Sequence, residues 1–288
     1  MKENWIRFFT IIISLLFTSC YGSWNIFYEG NNVDCRSKEM TLLEDSTDPV
    51  FQESGLSSLS GSYDVLILTD THFGYKFKDA PLECLYNWLD SVKESPAAPE
   101  FAICLGDAVD TGCQSEYDEY LDFCKNLQNR YGIKLVFTTC GNHDIYQSHW
   151  GNWQKNCYPH TSFYSFKTSN FSWYSFDTGD GTLGTKQYDI LKKAMENDPA
   201  PKIVFSHYPL SAYRIAFGLG DTTERNLLVR LFLQNKVRCY FGGHDHCSNY
   251  NNIGFHDYCC PSFRFNEAWT ILHVDEDKGK AVAEFIGG

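Results

Sequence analysis

Five short apolar runs each lead into a residue that can hold a metal ion, and this repetition constrains the fold more than any other feature of the chain. The run at 65–69 leads into Asp70-Thr71-His72, the run at 101–105 into Gly106-Asp107, and the run at 134–139 into Gly141-Asn142-His143-Asp144. The run at 202–206 leads into His207, and the run at 237–241 into Gly242-Gly243-His244-Asp245-His246. Apolar runs this short, bounded by glycine and polar residues, read as buried strands. Between them lie helical patterns at 82–92, 117–127, 187–195 and 224–233; Tyr117, Tyr120, Leu121, Cys124 and Leu127 form one such stripe. Strand and helix in alternation predict parallel β-α-β units and an α/β fold. The segments 163–166 and 171–176, and the closing pair 269–274 and 280–285, predict antiparallel additions.

In an open α/β sheet, ligands collect at the carboxyl ends of the strands, so the five run ends converge on one crevice. Their carboxylate, amide and imidazole donors exceed what one four-coordinate ion takes and suit two divalent ions. Asp-x-His and His-x-His place alternate residues on one side of an extended segment, within reach of a single ion. Glycines at 106, 141, 242 and 243 let the chain turn sharply off each strand.

Asp70-x-His72, Gly106-Asp107, Gly141-Asn142-His143-Asp144, His207 and Gly243-His244-x-His246 resemble the five ordered blocks of the calcineurin-like metallophosphoesterases. The resemblance extends over about residues 63–285. It implies a four-layer αββα sandwich, two mixed β-sheets flanked by helices, with two divalent ions of manganese, iron or zinc. One ion would take Asp70, His72 and His246, the other Asn142, His207 and His244, with Asp107 bridging. His143 would be the general acid or transition-state stabiliser, and Asp144 would orient its imidazole. The implied reaction is phosphoester hydrolysis by a metal-bridging hydroxide, with no covalent intermediate. Purple acid phosphatases carry a Tyr three residues after the Gly-Asp aspartate, where this chain has Asp110. Protein Ser/Thr phosphatases carry Arg beside the second and third blocks, where this chain has Thr111 and Cys140. The segments 106–112 and 206–209 look more like single-domain phosphodiesterase-type members. A phosphodiesterase is therefore expected, with a phosphomonoesterase on the same site as the alternative. A surface lipoprotein that uses the fold as a binding module is the alternative of another class.

The formal net charge of −12 speaks against a protein that tracks long nucleic acid through basic patches, and the expected substrate is a small phosphoester. Arg214, Arg225 and Arg264 are candidates for a phosphate clamp, because a guanidinium grips phosphate in a fork; solvated surface arginines are the alternative. Tyr146, His149, Trp150 and Trp153 follow the third block and either wall the pocket or pack beneath a long loop.

Residues 1–19 read as a signal peptide. Lys2 and Arg7 precede an apolar run at 8–17, too short to span a membrane, and the small Thr18 and Ser19 lead to Cys20. The stretch Leu16-Phe17-Thr18-Ser19-Cys20 resembles a bacterial lipoprotein signal. That resemblance implies lipid on Cys20, a membrane anchor and an extracytoplasmic location, with plain secretion as the alternative. Residues 20–61 are polar and end in a Ser/Gly-rich stretch, which predicts a tether with an edge element, including a strand around 25–28. The metallophosphoesterase domain is then 62–288. Twelve cysteines fall well short of a disulfide scaffold, and Cys104, Cys140 and Cys239 lie in apolar runs as small buried hydrophobes.

Overall fold

The computed structural model describes residues 32–74 and 79–288. The signal peptide, Cys20 and the strand expected at 25–28 lie outside the described residues. In chain order the principal elements are α1 (Val33–Arg36), β1 (Thr41–Leu42), α2 (Pro49–Ser54), β2 (Ser62–Leu68), α3 (Ala80–Val92), β3 (Pro99–Cys104), α4 (Gln114–Tyr131) and β4 (Val136–Thr138). They continue with α5 (Trp150–Asn156), β5 (Tyr164–Lys167), β6 (Ser172–Ser175), α6 (Gln187–Glu196), β7 (Lys202–Phe205), α7 (Thr222–Gln234) and β8 (Val237–Gly242). Last come β9 (Asn249–Asn252), β10 (His256–Cys259), α8 (Phe263–Asn266), β11 (Ala268–Asp275) and β12 (Lys280–Gly287).

The central strands are apolar on both faces because both faces are covered. In β2, Val65 and Ile67 point into a core shared with Ile203 and Phe205 of β7 and with Cys239 and Phe241 of β8. Leu66 and Leu68, one residue out of phase, pack with Leu85 and Leu89 of α3 and with Tyr117 and Leu127 of α4. On the far side Val204 and Tyr240 meet Leu191 of α6 and Leu228 and Phe232 of α7. Three apolar layers between four layers of secondary structure make the αββα sandwich. One sheet has seven strands in the order β1-β5-β6-β7-β8-β10-β9, the other five in the order β12-β11-β2-β3-β4. β2, β3 and β4 run parallel, as do β6, β7, β8 and β10, so five ligand-bearing strand ends face one edge of the sandwich. The pairs β5/β6 and β11/β12 are antiparallel, as their sequences predict.

Over residues 32–61 the polar stretch is packed. β1 pairs with β5 at the edge of the larger sheet, and Leu43, Phe51 and Leu56 enter the central core. Three apolar side chains at irregular spacing anchor it, a pattern with neither helical nor strand period. Among the described residues no helix is long and apolar enough to cross a membrane, and the eleven cysteines are free thiols. Cys104, Cys140 and Cys239 are buried in apolar clusters.

Asp257 on β10 is 1% exposed, and burial pushes its carboxyl up to about 6 against a weak opposing pull from Ser211. Below about pH 4 the group is neutral in both folded and unfolded chains. Between about 4 and 6 the unfolded chain ionises first, so stability falls as pH rises. Above 6 the full penalty of about 3 kcal/mol stands. Urea titrations of Asp257→Asn against the parent chain should therefore show a stability difference that shifts toward the variant between pH 4 and 6.5. A pH-independent difference would contradict the assigned burial penalty.

Candidate metal centre

Three of the five strand ends, those of β2, β3 and β8, bend sharply through left-handed residues. Asp70, His72, Asp107, His244 and His246 hold φ of 52°, 44°, 50°, 61° and 58°, in the left-handed region that costs a side chain about 1–2 kcal/mol. These turns are fixed by bonds between strand ends: Asp70 N–H to Gly106 O (3.1 Å), His72 N–H to Asp107 O (2.9 Å) and Gly243 N–H to His207 O (2.7 Å). Two glycines are obligatory for space. A Cβ on Gly141 would strike the backbone nitrogen and carboxylate of Asp107, and one on Gly243 would strike the Thr69 hydroxyl.

The turns gather the seven predicted ligands. The donor atoms of Asp70, His72 and His246 lie within 4.8 Å of one another, as do those of Asp107, His207 and His244. Asp107 stands between the groups: its Oδ2 is 3.4 Å from His207 Nε2 and 3.8 Å from His72 Nε2. Asn142 Oδ1 is 3.1 Å from His207 Nε2. Asp70 Oδ1, both ring nitrogens of His72 and His244 Nδ1 are buried without a well-formed hydrogen bond among the described residues. Orphaned donors and acceptors packed together are costly unless a ligand completes them. Two carboxylates, one amide and four imidazoles suit a pair of borderline divalent ions, so these residues fit the implied metals.

Electrostatics point the same way. Burial would raise the Asp107 carboxyl, but His207, His143 and His72 hold it well below the usual carboxylate range. Asp70 is likewise buried, yet the His246 ring, with Nε2 3.2 Å from Oδ1, and the nearby imidazoles bring it to about 2. Burial lowers His244 to about 4 with help from His207, which keeps that ring neutral for ligation. His207 Nδ1 is 2.8 Å from Leu105 O; a carbonyl only accepts, so Nδ1 carries the proton and Nε2 faces the centre.

His143 lies beside the cluster, its ring 4.6 Å from His72 and edge-on to it. Its backbone N–H donates to Asp107 Oδ1 (2.8 Å), and its Nδ1–H donates to Asp110 O (2.7 Å). The orienting group is therefore the Asp110 carbonyl rather than Asp144. The Asp144 carboxylate instead accepts the N–H groups of Gly141 (2.8 Å) and Val109 (3.2 Å), tying the second block to the third.

The three arginines part company. Arg264 Nη1 bonds His72 O (3.1 Å) and Asp110 Oδ1 (3.2 Å), and Arg214 Nε bonds Asp245 Oδ1 (2.7 Å). Both are at the rim and each bonds a carboxylate. Arg225 lines a cavity of about 230 Å³ with Leu210, Ser211, Ala212, Asn226 and Val229, and none of the metal-binding residues lines that cavity. Among the aromatics, Tyr146 stacks 5.6 Å from His143 at the site. Trp153 is buried in the helix-side core with Trp150 stacked on it at 5.0 Å, and His149 Nδ1–H donates to Thr111 O.

Three side chains at the site escape sequence reasoning. Tyr208 stacks 3.9 Å from His244, Phe217 lies 5.5 Å from it, and Phe265 stacks 4.9 Å from His246. Tyr208 follows directly after His207, a positional signal; Phe217 and Phe265 carry none.

The family model for calcineurin-like phosphoesterase matches residues 63–248. No curated protein matches the chain. Among solved structures, a dimetal phosphatase from Danio rerio aligns with a TM-score of 0.61 at 12% identity, over 79% of this chain and 97% of its own. GAP50, the anchor in the inner membrane complex of Plasmodium, aligns at 0.59 and 15% identity over 79% and 85%. The purple acid phosphatase PPD1 from yellow lupin seeds aligns at 0.52 and 15% identity over 80% of this chain and 54% of its own. At these identities the likeness is one of fold.

Proposed function

We propose, since this chain belongs to the calcineurin-like phosphoesterase family and is a metal-dependent phosphoester hydrolase, that its substrate is a small phosphodiester and that it works outside the cytoplasm. The observation that carries the diester reading is the state of the rim arginines. Arg214 and Arg264 are each paired with a carboxylate, Asp245 and Asp110. A monoester dianion gains most from an uncommitted cation beside the metals, whereas a diester carries a single charge. Phosphomonoesters are the second substrate class of the same site. The extracytoplasmic reading rests on the charged start, the short apolar run and Cys20.

Asp70, His72 and His246 would hold one divalent ion and Asn142, His207 and His244 the other, with Asp107 between them; manganese, iron and zinc all suit this donor set. When bound, such a pair supplies an activated water at neutral pH and positive charge for the phosphate oxygens. The chain supplies the rest. His207 and His143 are each fixed in one tautomer by a backbone carbonyl, so both present Nε2 inward. Against the opposing pull of burial, Asp107 and the Asp110 carbonyl favour the charged ring, and the imidazolium would carry a second proton on Nε2, placed to pass to the departing oxygen, a contribution of about 10²–10⁴-fold for a positioned acid.

The Mn²⁺-loaded protein should hydrolyse bis-p-nitrophenyl phosphate with a higher kcat/KM than p-nitrophenyl phosphate. A chelator should abolish the activity and added metal restore it. The reverse preference overturns the diester assignment. GAP50, whose fold this chain shares, is described as an anchor. No turnover of either ester at confirmed metal occupancy would favour the binding-module reading instead. Mass spectrometry of the mature N-terminus tests the lipid on Cys20.

A further inference from the structure

Phe265 is a large apolar side chain left 58% exposed at the edge of a polar, buried cluster. Its neighbours hold it there. Ser262 Oγ donates to Asp70 O (3.2 Å), Phe263 N–H donates to Thr69 O (2.9 Å), and the Phe263 ring is buried against Phe123. Arg264 is tied to His72 O and Asp110. Ser262, Phe263 and Arg264 are therefore fastened to the strand ends that carry the candidate metal-binding side chains. The phenyl ring stacks on His246 at 4.9 Å and 24°, and stands 5.7 Å from His72. The ring packs on His246 and the Arg264 guanidinium lies 5.2 Å from its centroid, yet 58% of the residue stays open to solvent at the rim. Across the site, Phe217 holds the corresponding place beside His244, with the Arg214 guanidinium 4.0 Å above its ring. An aromatic rim around a phosphate-binding centre is chemically matched to an ester that carries its own planar ring.

We infer that Phe265 is the wall of a binding subsite for a planar aromatic group, aryl or nucleobase, carried by the phosphoester. The inference rests on the phosphoester reading above and names the kind of ester. Phe265 acts on the organic part of the substrate, while the seven ligands and His143 act on the phosphate. A ring that merely propped His246 would affect every phosphate compound alike.

The test uses the Mn²⁺-loaded protein and the inhibition constants of phenyl phosphate, adenosine monophosphate, ribose 5-phosphate and inorganic phosphate against bis-p-nitrophenyl phosphate hydrolysis. Phe265→Leu keeps apolar bulk and loses the ring; Phe265→Trp keeps a ring. With Phe265→Leu, the constants for phenyl phosphate, adenosine monophosphate or both should rise about fivefold or more, in the range of one aromatic stacking contact. Those for ribose 5-phosphate and inorganic phosphate should stay within twofold, metal content should be unchanged, and Phe265→Trp should restore ring binding. A rise confined to phenyl phosphate identifies an aryl ester, and one confined to adenosine monophosphate a nucleobase. An equal change in all four constants, or no change in any, overturns the subsite while leaving the enzyme reading intact. A metal-loaded parent protein that turns over no phosphoester overturns both.

Discussion

Asp107→Asn is expected to lower kcat/KM for bis-p-nitrophenyl phosphate by about 10³-fold or more, measured at saturating Mn²⁺ with metal content determined in parallel. The size follows from position. Asp107 is 1% exposed, its Oδ2 stands 3.4 Å from His207 and 3.8 Å from His72, and its Oδ1 receives the His143 N–H at 2.8 Å. One carboxylate thus serves both candidate metal groups and the loop that carries the acid. Asparagine keeps the shape and one acceptor but removes the charge that two cations would share. A lost metal interaction of about 4 kcal/mol corresponds to about 10³ in rate. The variant should still fold, because the strain at this turn is backbone strain and the substitution leaves the backbone bonds of the strand end in place; asparagine tolerates the left-handed region well. Circular dichroism and urea unfolding check that. Activity within tenfold of the parent, at equal metal occupancy, would show that Asp107 does not stand between the two ions.

The candidate metal-binding residues were legible because the constraint on them is local. A parallel strand that ends in a sharp turn needs glycine or a strained residue there, and the chain places glycine directly beside a donor at Gly106-Asp107, Gly141-Asn142 and Gly243-His244. The boundaries of the elements expected from periodicity followed to within a few residues, since a buried strand such as β2 is apolar from Val65 to Leu68, while α5, β9 and β10 carried no such pattern. What surrounds the ligands was not legible, because it arrives from distant segments. The orienting acceptor of His143 is a backbone carbonyl at Asp110, which no side-chain pattern reports. Phe265 reaches His246 only because the link between β10 and β11 folds back over the ends of β2, through Phe263 on Thr69 and Ser262 on Asp70. The arginines were legible as cations but not as paired ones. Arg214 meets Asp245, 31 residues away, and Arg264 meets Asp110, 154 residues away, and such pairings are set by tertiary geometry. The stretch 32–61 was opaque for the opposite reason: its few apolar anchors have no period, and its strongest interaction is an ion pair.

That ion pair gives the largest expected effect on stability. Arg36 in α1 grips Asp177 in a fork, Nε to Oδ2 at 2.7 Å and Nη2 to Oδ1 at 2.8 Å, with side chains 1% and 0% exposed. Asp180 adds a contact to Arg36 Nη1 at 3.3 Å and accepts the Val33 N–H at 2.7 Å. Arg36→Met would leave the Asp177 carboxylate buried beside a second carboxylate with no cation. The expected cost is about 3–5 kcal/mol in urea unfolding, since an uncompensated buried charge is far dearer than a missing pair. The double variant Arg36→Met with Asp177→Leu should recover much of that loss, because it removes the stranded charge. A single variant that loses under 1 kcal/mol, or a double variant no better than the single, would show that the pair is not what holds α1 down. The consequence should reach the metal centre. The 177–181 turn that Arg36 holds also supports Tyr208: Tyr208 N–H donates to Thr178 Oγ1 at 2.9 Å, and its ring lies 3.9 Å from His244. Loosening α1 would therefore free the platform under a candidate metal-binding histidine, and Mn²⁺ affinity should fall with stability in the single variant and return in part in the double. A segment ahead of the matched family region, 63–248, would thereby act on the site through one buried guanidinium.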